Sequence, residues 1–291
     1  MHSRKASKTA QLMALIRALE SNRPSQKRLF YDPMAINFLE GSYRFAAKAS
    51  VFSPARKWVQ RIAQKRVPGA FSSGTARTRY IDDLLQQCVK NGIQQIIILG
   101  AGFDTRGLRL SSLKQIPVIE IDHPNTSRMK TAILKKKLKQ LPSNIIYCEI
   151  DFNKQNLDEL AAAYNFNLKL PTAIIWEGVT NYLTSDAIAN TFSFISKFAA
   201  GSHVIFTYVD EEVLKNPAAF YGAEKLLADL VALEENWTFG FNPAQLTGYL
   251  QQFQLTLISD KGADEYRNLY IPERVERGYE FYRVALAKIN A

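Results

Sequence analysis

The 291-residue chain contains few residues of the kinds that form metal sites and disulfides. It has two cysteines, Cys88 and Cys148, and three scattered histidines, His2, His123 and His203. No Cys/His pair has the spacing of metal ligands, so we expect no metal ion. The cysteines fall 60 residues apart on a predicted helix and a predicted strand. This arrangement is typical of buried thiols in a reducing compartment rather than of a disulfide.

Long hydrophobic runs are also missing. No apolar stretch approaches the roughly 18 residues of a membrane span, so we expect neither a transmembrane helix nor a membrane partner. The first 20 residues lack an apolar block followed by a small-residue cleavage site, which argues against secretion and favours a cytoplasmic protein. They are rich in Lys and Arg and poor in acids, so organelle targeting stays open. The apolar fraction of 47% is ordinary for a globular protein with a substantial core.

Acidic residues are scarce at the start of the chain. Residues 1–80 hold 16 Lys/Arg and three acids, a net charge of +13, whereas residues 81–291 carry a net charge of −3. Such asymmetry can attract an anionic substrate, nucleic acid or an acidic partner. A solvated basic helical face explains it equally well.

The first 92 residues have helical patterns. Apolar residues recur at helical spacing in 6–20, and Asp32 followed by Pro33 is typical of a helix start. Two further helices are predicted over 54–66 and 74–89. This part of the chain is therefore predicted to be a helical N-terminal cap.

From Gln94 onward, strand-like segments alternate with helical ones. The predicted strands are 95–99, 117–121, 144–150, 172–176, 203–209, 254–259 and 281–289. This alternation predicts an α/β fold with a doubly wound, mostly parallel, seven-stranded sheet. We interpret the chain as a single domain, with a cap over 1–92, a core over 93–291 and a helical insertion at about 210–251.

The first strand runs directly into Gly100-Ala101-Gly102. An apolar run that ends at glycines is typical of a buried parallel strand with a ligand-facing turn. Because glycine lacks a side chain, a nucleotide-type ligand can approach the main chain closely there. A dinucleotide fingerprint needs a third glycine where this chain has Thr105, which counts against an NAD enzyme.

Acidic residues occur at the first four strand ends: Asp104, Asp122, Asp151 and Glu177. Because the carboxyl ends of adjacent parallel strands line one crevice, we expect these acids to converge. Asp122 suits a ribose diol, and Asp151 with Phe152 suits an adenine, whose amine and ring they would contact. Each acid alone is also explained as a helix N-cap.

These motifs in order, GAGFDTR, EIDHP, CEIDF and WEGVTNYL, resemble the leucine carboxyl methyltransferase family. The resemblance covers about residues 70–210. It implies the Rossmann-like fold of class I methyltransferases, the cofactor S-adenosylmethionine and methyl transfer to oxygen. The family includes carboxyl methyltransferases of a phosphatase subunit and bacterial O-methyltransferases of small molecules.

The resemblance also implies roles for individual residues. In GTARTRYID, Arg77 matches the family's arginine for the cofactor carboxylate, a bidentate pairing that suits the guanidinium, and Arg79 is the alternative. The remaining cofactor-binding residues it implies are Gly100, Ala101, Gly102, Asp122, Asp151, Phe152 and Glu177, the last at the methionine ammonium. Tyr182 is a candidate substrate-side residue, with core packing an equal alternative. Asp104 and Arg106 are expected to brace the turn.

The acceptor is inferred from the chemistry of the step. A carboxylate is already ionised at neutral pH and needs no general base, whereas a phenol would need one. The one strand-end histidine, His123, precedes Pro124 and is expected to cap a helix. We therefore favour an anionic carboxylate of a small molecule or a protein C-terminus, with the cap closing over the cofactor and supplying cations that select the acceptor.

Two other functions remain open at this point. An RNA-modifying methyltransferase would account for the basic cap and for Lys135-Lys136-Lys137, but no RNA-binding module is recognisable, so a nucleic-acid partner is not favoured. A non-catalytic cofactor-binding protein of the same fold would keep the site without turnover.

Overall fold

The computed structural model describes residues 8–150, 155–273 and 276–290. Its helices are α1 (Lys8–Ser21), α2 (Gly41–Ala49), α3 (Ser53–Arg66), α4 (Ala70–Lys90), α5 (Arg106–Arg109), α6 (Pro124–Leu138), α7 (Leu157–Ala163), α8 (Ser185–Ile195), α9 (Glu212–Lys215), α10 (Ala223–Ala232), α11 (Leu246–Gln251) and α12 (Ala263–Tyr270). Its strands are β1 (Gln95–Leu99), β2 (Val118–Asp122), β3 (Ile145–Glu149), β4 (Thr172–Trp176), β5 (His203–Val209), β6 (Leu255–Gly262) and β7 (Tyr282–Ile289).

The strands form one sheet in the order β3-β2-β1-β4-β5-β7-β6. The first five are parallel to their neighbours, and β7 is antiparallel to both β5 and β6. The predicted doubly wound, mostly parallel, seven-stranded sheet is therefore confirmed. Chain order reverses between β1 and β4, and such a switch point is where open α/β sheets bind ligands.

Strand β1 lies at the centre of the sheet and is buried on both faces. Its alternate residues pack in two different cores, because successive side chains of a strand point to opposite faces of the sheet. Ile97 and Leu99 pack in the core covered by α8 and α11. Ile96 and Ile98 pack in the core covered by α4 and α12. This double burial explains the continuous apolar run in the sequence.

The N-terminal helices form a separate apolar cluster above the sheet. Leu15, Ile16 and Leu19 of α1 pack with Phe38 and Phe103, and the two phenylalanine rings stack with centroids 4.8 Å apart. Phe103 belongs to the glycine turn after β1. The cluster therefore fastens the cap to the carboxyl end of the central strand.

The helix predicted to begin at Pro33 is wrong. The chain forms instead a short 3-10 helix over Ala35–Phe38. The Asp32 carboxylate does accept hydrogen bonds from the backbone N–H groups of Met34 and Ala35, each at 3.1 Å. Its other oxygen accepts from Arg17, at 2.9 Å, so a tertiary ion pair shares the carboxylate with the capping turn.

Two helices lacked a clear sequence signal. Helix α2 packs Tyr43, Ala46 and Ala47 on the cap core and leaves the large apolar side chain of Phe45 in solvent, so its apolar stripe is short and made mainly of small residues. Helix α12 begins directly after Gly262, the last residue of β6, so no loop residues mark its start in the sequence. Among the described residues no helix has both the length and the hydropathy that crossing a bilayer requires.

Candidate functional site

The carboxyl ends of β1, β2 and β4 open into a cavity of about 610 Å³. Residues 100–104 form its floor, and residues 177–182 form one wall. The cavity is also lined by helix α1, by residues 234–237, which follow α10, and by Tyr279 and Tyr282. The volume is within the range of about 300–1,000 Å³ that small-molecule sites occupy.

The glycine turn has the conformation its sequence predicted. Gly100 has a φ of +64°, and a Cβ atom there would lie 2.3 Å from Cγ2 of Val179. Any side chain at this position would therefore be strained by the backbone and blocked by the wall of the cavity. The backbone N–H of Gly102 donates to Oδ2 of Asp122, which ties the turn after β1 to the end of β2.

Asp122 faces the cavity with both oxygens oriented by main-chain donors. Oδ2 accepts from Gly102, and Oδ1 accepts from the N–H of His123 at 2.6 Å. Burial raises the pKa of Asp122, and these two backbone hydrogen bonds oppose the rise. Nδ1 of His123 accepts from the N–H of Asn125, so this histidine caps α6 as its sequence predicted.

Arg77 and Glu177 meet at the side of the cavity. Nε of Arg77 on α4 donates to Oε1 of Glu177 after β4, at 2.9 Å. The guanidinium lies 4.6 Å from the ring centroid of Tyr282, and its Nη2 is 3.2 Å from the Met13 sulfur. Burial by itself would lower the pKa of Arg77, but Tyr282 and Glu177 raise it, so the side chain stays charged.

Arg106 links Glu177 to two further carboxylates. Its Nη1 donates to Oε2 of Glu177 at 2.9 Å and also to Asp104, and its Nε donates to Asp82 at 2.8 Å. Arg109 completes the cluster with two hydrogen bonds to Asp82, at 2.6 and 2.7 Å. The expected pairing of Asp104 with Arg106 is present.

The cations in and around this buried cluster lower the pKa values of Asp104 and Glu177. Burial would raise the pKa of Asp104, but the charges of Arg106 and Lys130 lower it to about 2. For Glu177, burial acts upward and Arg106 and Arg77 act more strongly downward, so its pKa is also lowered. Both carboxylates are therefore ionised at neutral pH, and three arginines balance three acids.

Helix α1 is fastened on both sides of the cavity. At its carboxyl half, Arg17 donates to the carbonyl oxygen of Phe103 in the glycine turn, at 2.6 Å. At its start, the backbone N–H groups of Lys8 and Thr9 donate to the carboxylate of Glu235, at 2.9 and 3.3 Å. An acid at a helix N-terminus also complements the helix dipole. The cap thus closes over the floor and is held there by the insertion.

The structure brings together most of the residues the sequence singled out. The cavity is lined by Arg77, Gly100, Ala101, Gly102, Asp122, Glu177 and Tyr182. Arg79 does not line it, because its Nε donates to Asp83 and its Nη1 to the carbonyl of Leu29. Asp151 and Phe152 lie outside the described residues.

Several cavity residues were missed by sequence reasoning. Asn181 is buried, and its Oδ1 has no hydrogen-bond partner within the part of the chain that the structure describes. Trp237 comes from the insertion, and its ring lies 6.1 Å from that of Tyr282, which comes from the last strand. Only Asn181 had a signal, as the neighbour of Tyr182 in NYL. Asn181 lines the cavity, but its unpaired Oδ1 is shielded from solvent, so this oxygen is a buried acceptor beside the site.

Comparisons with known proteins match most of the chain to methyltransferases. The family model described as leucine carboxyl methyltransferase matches residues 10–196. A Streptomyces coelicolor protein, described as a candidate S-adenosyl-L-methionine-dependent methyltransferase, is 31% identical over 214 residues, which are 72% of this chain and 72% of that protein. A Frankia alni protein of the same description is 27% identical over 275 residues, 93% of this chain and 91% of its own.

Solved structures show the same fold. A candidate methyltransferase from Thermobifida fusca superimposes with a TM-score of 0.58 at 18% identity, covering 81% of this chain and 89% of that one. A protein of the DUF574 family from Streptomyces avermitilis also has a TM-score of 0.58, at 14% identity, and covers 93% and 99% of the two chains. At these identities the likeness concerns the fold.

Proposed function

Because the chain belongs to the leucine carboxyl methyltransferase family, we propose that it methylates an oxygen, and specifically a carboxylate of a small molecule or of a protein C-terminus. The protein is an S-adenosylmethionine-dependent methyltransferase with a class I fold.

The cavity residues fit S-adenosylmethionine, which supplies an activated methyl group on a sulfonium. The turn at Gly100 presents bare main chain, and Asp122 presents a carboxylate oriented for the ribose hydroxyls. Asn181 also lines the cavity. We also assign the adenine to Asp151 and Phe152, from the family pattern alone.

Arg77 is assigned to the cofactor carboxylate and Glu177 to its ammonium. Arg77 reaches Glu177 through Nε, and Nη2 contacts only the soft sulfur of Met13 among the described residues, so the outer edge of the guanidinium can take a bidentate carboxylate. The two side chains already belong to a cluster of balanced charge. The amino acid part of S-adenosylmethionine adds one carboxylate and one ammonium, so the net charge of the cluster does not change.

The state of the ionisable groups around the cavity supports a carboxylate acceptor. Asp104 and Glu177 are held in ion pairs, and Asp122 is held by main-chain N–H groups. Burial raises the pKa of Tyr182, so its hydroxyl stays protonated at neutral pH and is not available as a base. No histidine lines the cavity within the described ranges. A carboxylate needs no proton removed before it attacks, so this site can serve it by alignment and exclusion of water.

Tyr182 is assigned to the acceptor side. It lines the cavity next to Asn181, and its hydroxyl is 3.5 Å from Oγ1 of Thr9 on the cap. A phenol at this place can donate a hydrogen bond to an anionic acceptor. The two cysteines are buried and free, which suits a reducing compartment, so we place the enzyme in the cytoplasm.

The test is transfer of a labelled methyl group from S-adenosylmethionine to fractionated cell extract. The proposal predicts label in a small-molecule or protein fraction that mild base releases as methanol, the behaviour of a methyl ester. Base-stable label would contradict a carboxylate acceptor, and label removed by ribonuclease would indicate an RNA-modifying enzyme. Tight cofactor binding with no transfer to any fraction would contradict catalysis altogether.

A further inference from the structure

The second and third helices expose large apolar side chains that the fold does not need there. We call residues 44–66, on α2, α3 and the corner between them, the α2–α3 surface. Its exposed apolar side chains are Phe45 (76% exposed), Val51 (62%), Phe52 (73%), Trp58 (65%) and Ile62 (39%). Val59 and Ala63 of α3 are partly buried against the cap core, whereas no residue of the helix is fully buried. The outer apolar row is therefore available for a contact outside this chain.

The residues of this surface carry only positive charge, and Glu276 lines a small cleft together with Lys57 and Arg61. Residues 44–66 contain seven cations and no acid: Arg44, Lys48, Arg56, Lys57, Arg61, Lys65 and Arg66. None of them forms an ion pair within residues 8–150, 155–273 and 276–290. Arg56 is used internally, since it donates to the carbonyl oxygens of Asn22 and Ser50. The others are solvated at the surface.

These cations do not serve the methyl-transfer cavity. The cationic side chains that line the cavity are Arg17 and Arg77, as far as the described part of the chain goes. Most of the excess charge of the cap therefore lies away from the cavity, where Arg17 is the one cation that α1 contributes among the described residues. The selection of the acceptor by the cap stays a prediction.

We propose that the α2–α3 surface docks the protein onto an anionic lipid bilayer. Exposed Trp and Phe side chains enter the boundary between headgroups and acyl chains, and lysines and arginines beside them attract anionic headgroups. The corner between α2 and α3 exposes two adjacent apolar side chains, Val51 and Phe52. An interfacial surface of this kind needs no membrane-spanning helix, so it is compatible with the absence of one among the described residues.

Charge and composition argue against the other occupants. A second copy of the chain would bring seven cations against seven, which disfavours self-association through this face. Single-stranded nucleic acid would stack on the rings of Phe45, Phe52 and Trp58, but it would leave the exposed aliphatic side chains of Val51 and Ile62 uncovered. Aliphatic and aromatic side chains together suit acyl chains. This inference is independent of the acceptor proposed above.

The test is co-sedimentation of the full chain with vesicles. We expect binding to phosphatidylcholine vesicles that contain phosphatidylglycerol, weaker binding at high salt, and none to phosphatidylcholine alone. Phe52→Ser with Trp58→Ser should weaken binding about tenfold or more, as should Lys57→Glu with Arg61→Glu. Bound vesicles should shift the tryptophan emission to the blue in the wild type and not in Trp58→Phe.

Matched controls lie on other exposed faces. Val231→Ser with Leu269→Ser removes equally exposed apolar side chains, and Lys135→Glu with Lys137→Glu reverses charges on α6. Both should bind vesicles like the wild type. The proposal is overturned if the controls lose binding as much as the α2–α3 variants. It is also overturned if the wild type ignores anionic vesicles, whether it then binds single-stranded RNA or dimerises through this face.

Discussion

Arg77 and Glu177, 100 residues apart in the chain, form an ion pair with an Nε–Oε1 distance of 2.9 Å. The pair joins helix α4 of the cap region to the end of strand β4. It has two roles at once, because it fixes the wall of the cavity and presents one charge of each sign to the ligand. Both side chains are largely shielded from solvent, 5% exposed for Arg77 and 16% for Glu177.

Substitution of Glu177 should therefore affect both stability and cofactor binding. Glu177→Gln keeps the shape but leaves Arg77 without its carboxylate, so we expect a loss of about 2–4 kcal/mol in the free energy of unfolding. The affinity for S-adenosylmethionine should fall about tenfold, since the ammonium loses its anion. Urea unfolding and calorimetric titration measure the two effects. Glu159→Gln, on the exposed side of α7, is the control and should change neither.

Substitution of Gly100 tests how closely the floor of the cavity packs against Val179. Gly100→Ala combines a φ of +64° with a contact of 2.3 Å to Val179, so we expect a loss of about 3 kcal/mol in unfolding free energy. Gly41→Ala is the matched control, because Gly41 has a φ of +49° and nothing within 4 Å of the added Cβ. It should lose only about 1 kcal/mol. Val179→Ala should partly rescue Gly100→Ala, and equal losses at the two glycines would contradict the contact.

The charge cluster gives a pH dependence with a definite sign. The folded pKa of Asp104, about 2, lies below its ordinary value of 3.8. Its ionised form therefore stabilises the fold at pH values above about 4, and that contribution is lost as the pH falls from there towards 2. Asp104→Asn keeps an oxygen for the N–H of Arg106 but loses the charge.

Urea unfolding of Asp104→Asn and wild type at several pH values checks this. At pH 6 the variant should be less stable by about 2 kcal/mol, and the difference should shrink below pH 4. A difference that stays constant across the acid range would show that the carboxylate is not held by Arg106 in this way.

Tyr182 is the residue that separates acceptor binding from cofactor binding. If its hydroxyl contacts the acceptor, Tyr182→Phe should lower kcat/KM for the acceptor about tenfold and leave the Kd of S-adenosylmethionine unchanged. Tyr164→Phe, at a tyrosine that is 42% exposed and away from the cavity, should have no effect on either. A variant with normal turnover would assign Tyr182 to packing alone.

The parts of the fold that follow from local patterns could be predicted from the sequence. Strand β1 and its glycine turn were predicted because burial on both faces needs an unbroken apolar run and the turn needs bare backbone. The placement of Asp122 and Glu177 followed from the rule that parallel strands end at one edge. Helix α2 was not predicted, since the face that it packs on the cap core consists mainly of alanines and its largest exposed apolar side chain, Phe45, lies in solvent.

Contacts between distant segments could not be predicted either. Glu235 caps the start of α1 across 227 residues, and nothing local to either segment indicates this. The sharing of Glu177 between Arg77 and Arg106 depends on the packing of α4 and α5, which only the folded chain defines. Asp32 was identified as the cap of an α-helix. Its carboxylate also forms an ion pair with Arg17, and the chain after it forms a short 3-10 helix where the α-helix was predicted.

The most direct test of the account is calorimetric titration of wild type, Arg77→Gln and Arg79→Gln with two ligands. One is S-adenosylmethionine, and the other is methylthioadenosine, which lacks the carboxylate and ammonium. We predict that Arg77→Gln binds S-adenosylmethionine about 100-fold more weakly than wild type, because two charge-assisted hydrogen bonds are lost, and binds methylthioadenosine equally well. Arg79→Gln should bind both like wild type. Wild-type affinity of Arg77→Gln for S-adenosylmethionine would contradict the assignment of this cavity.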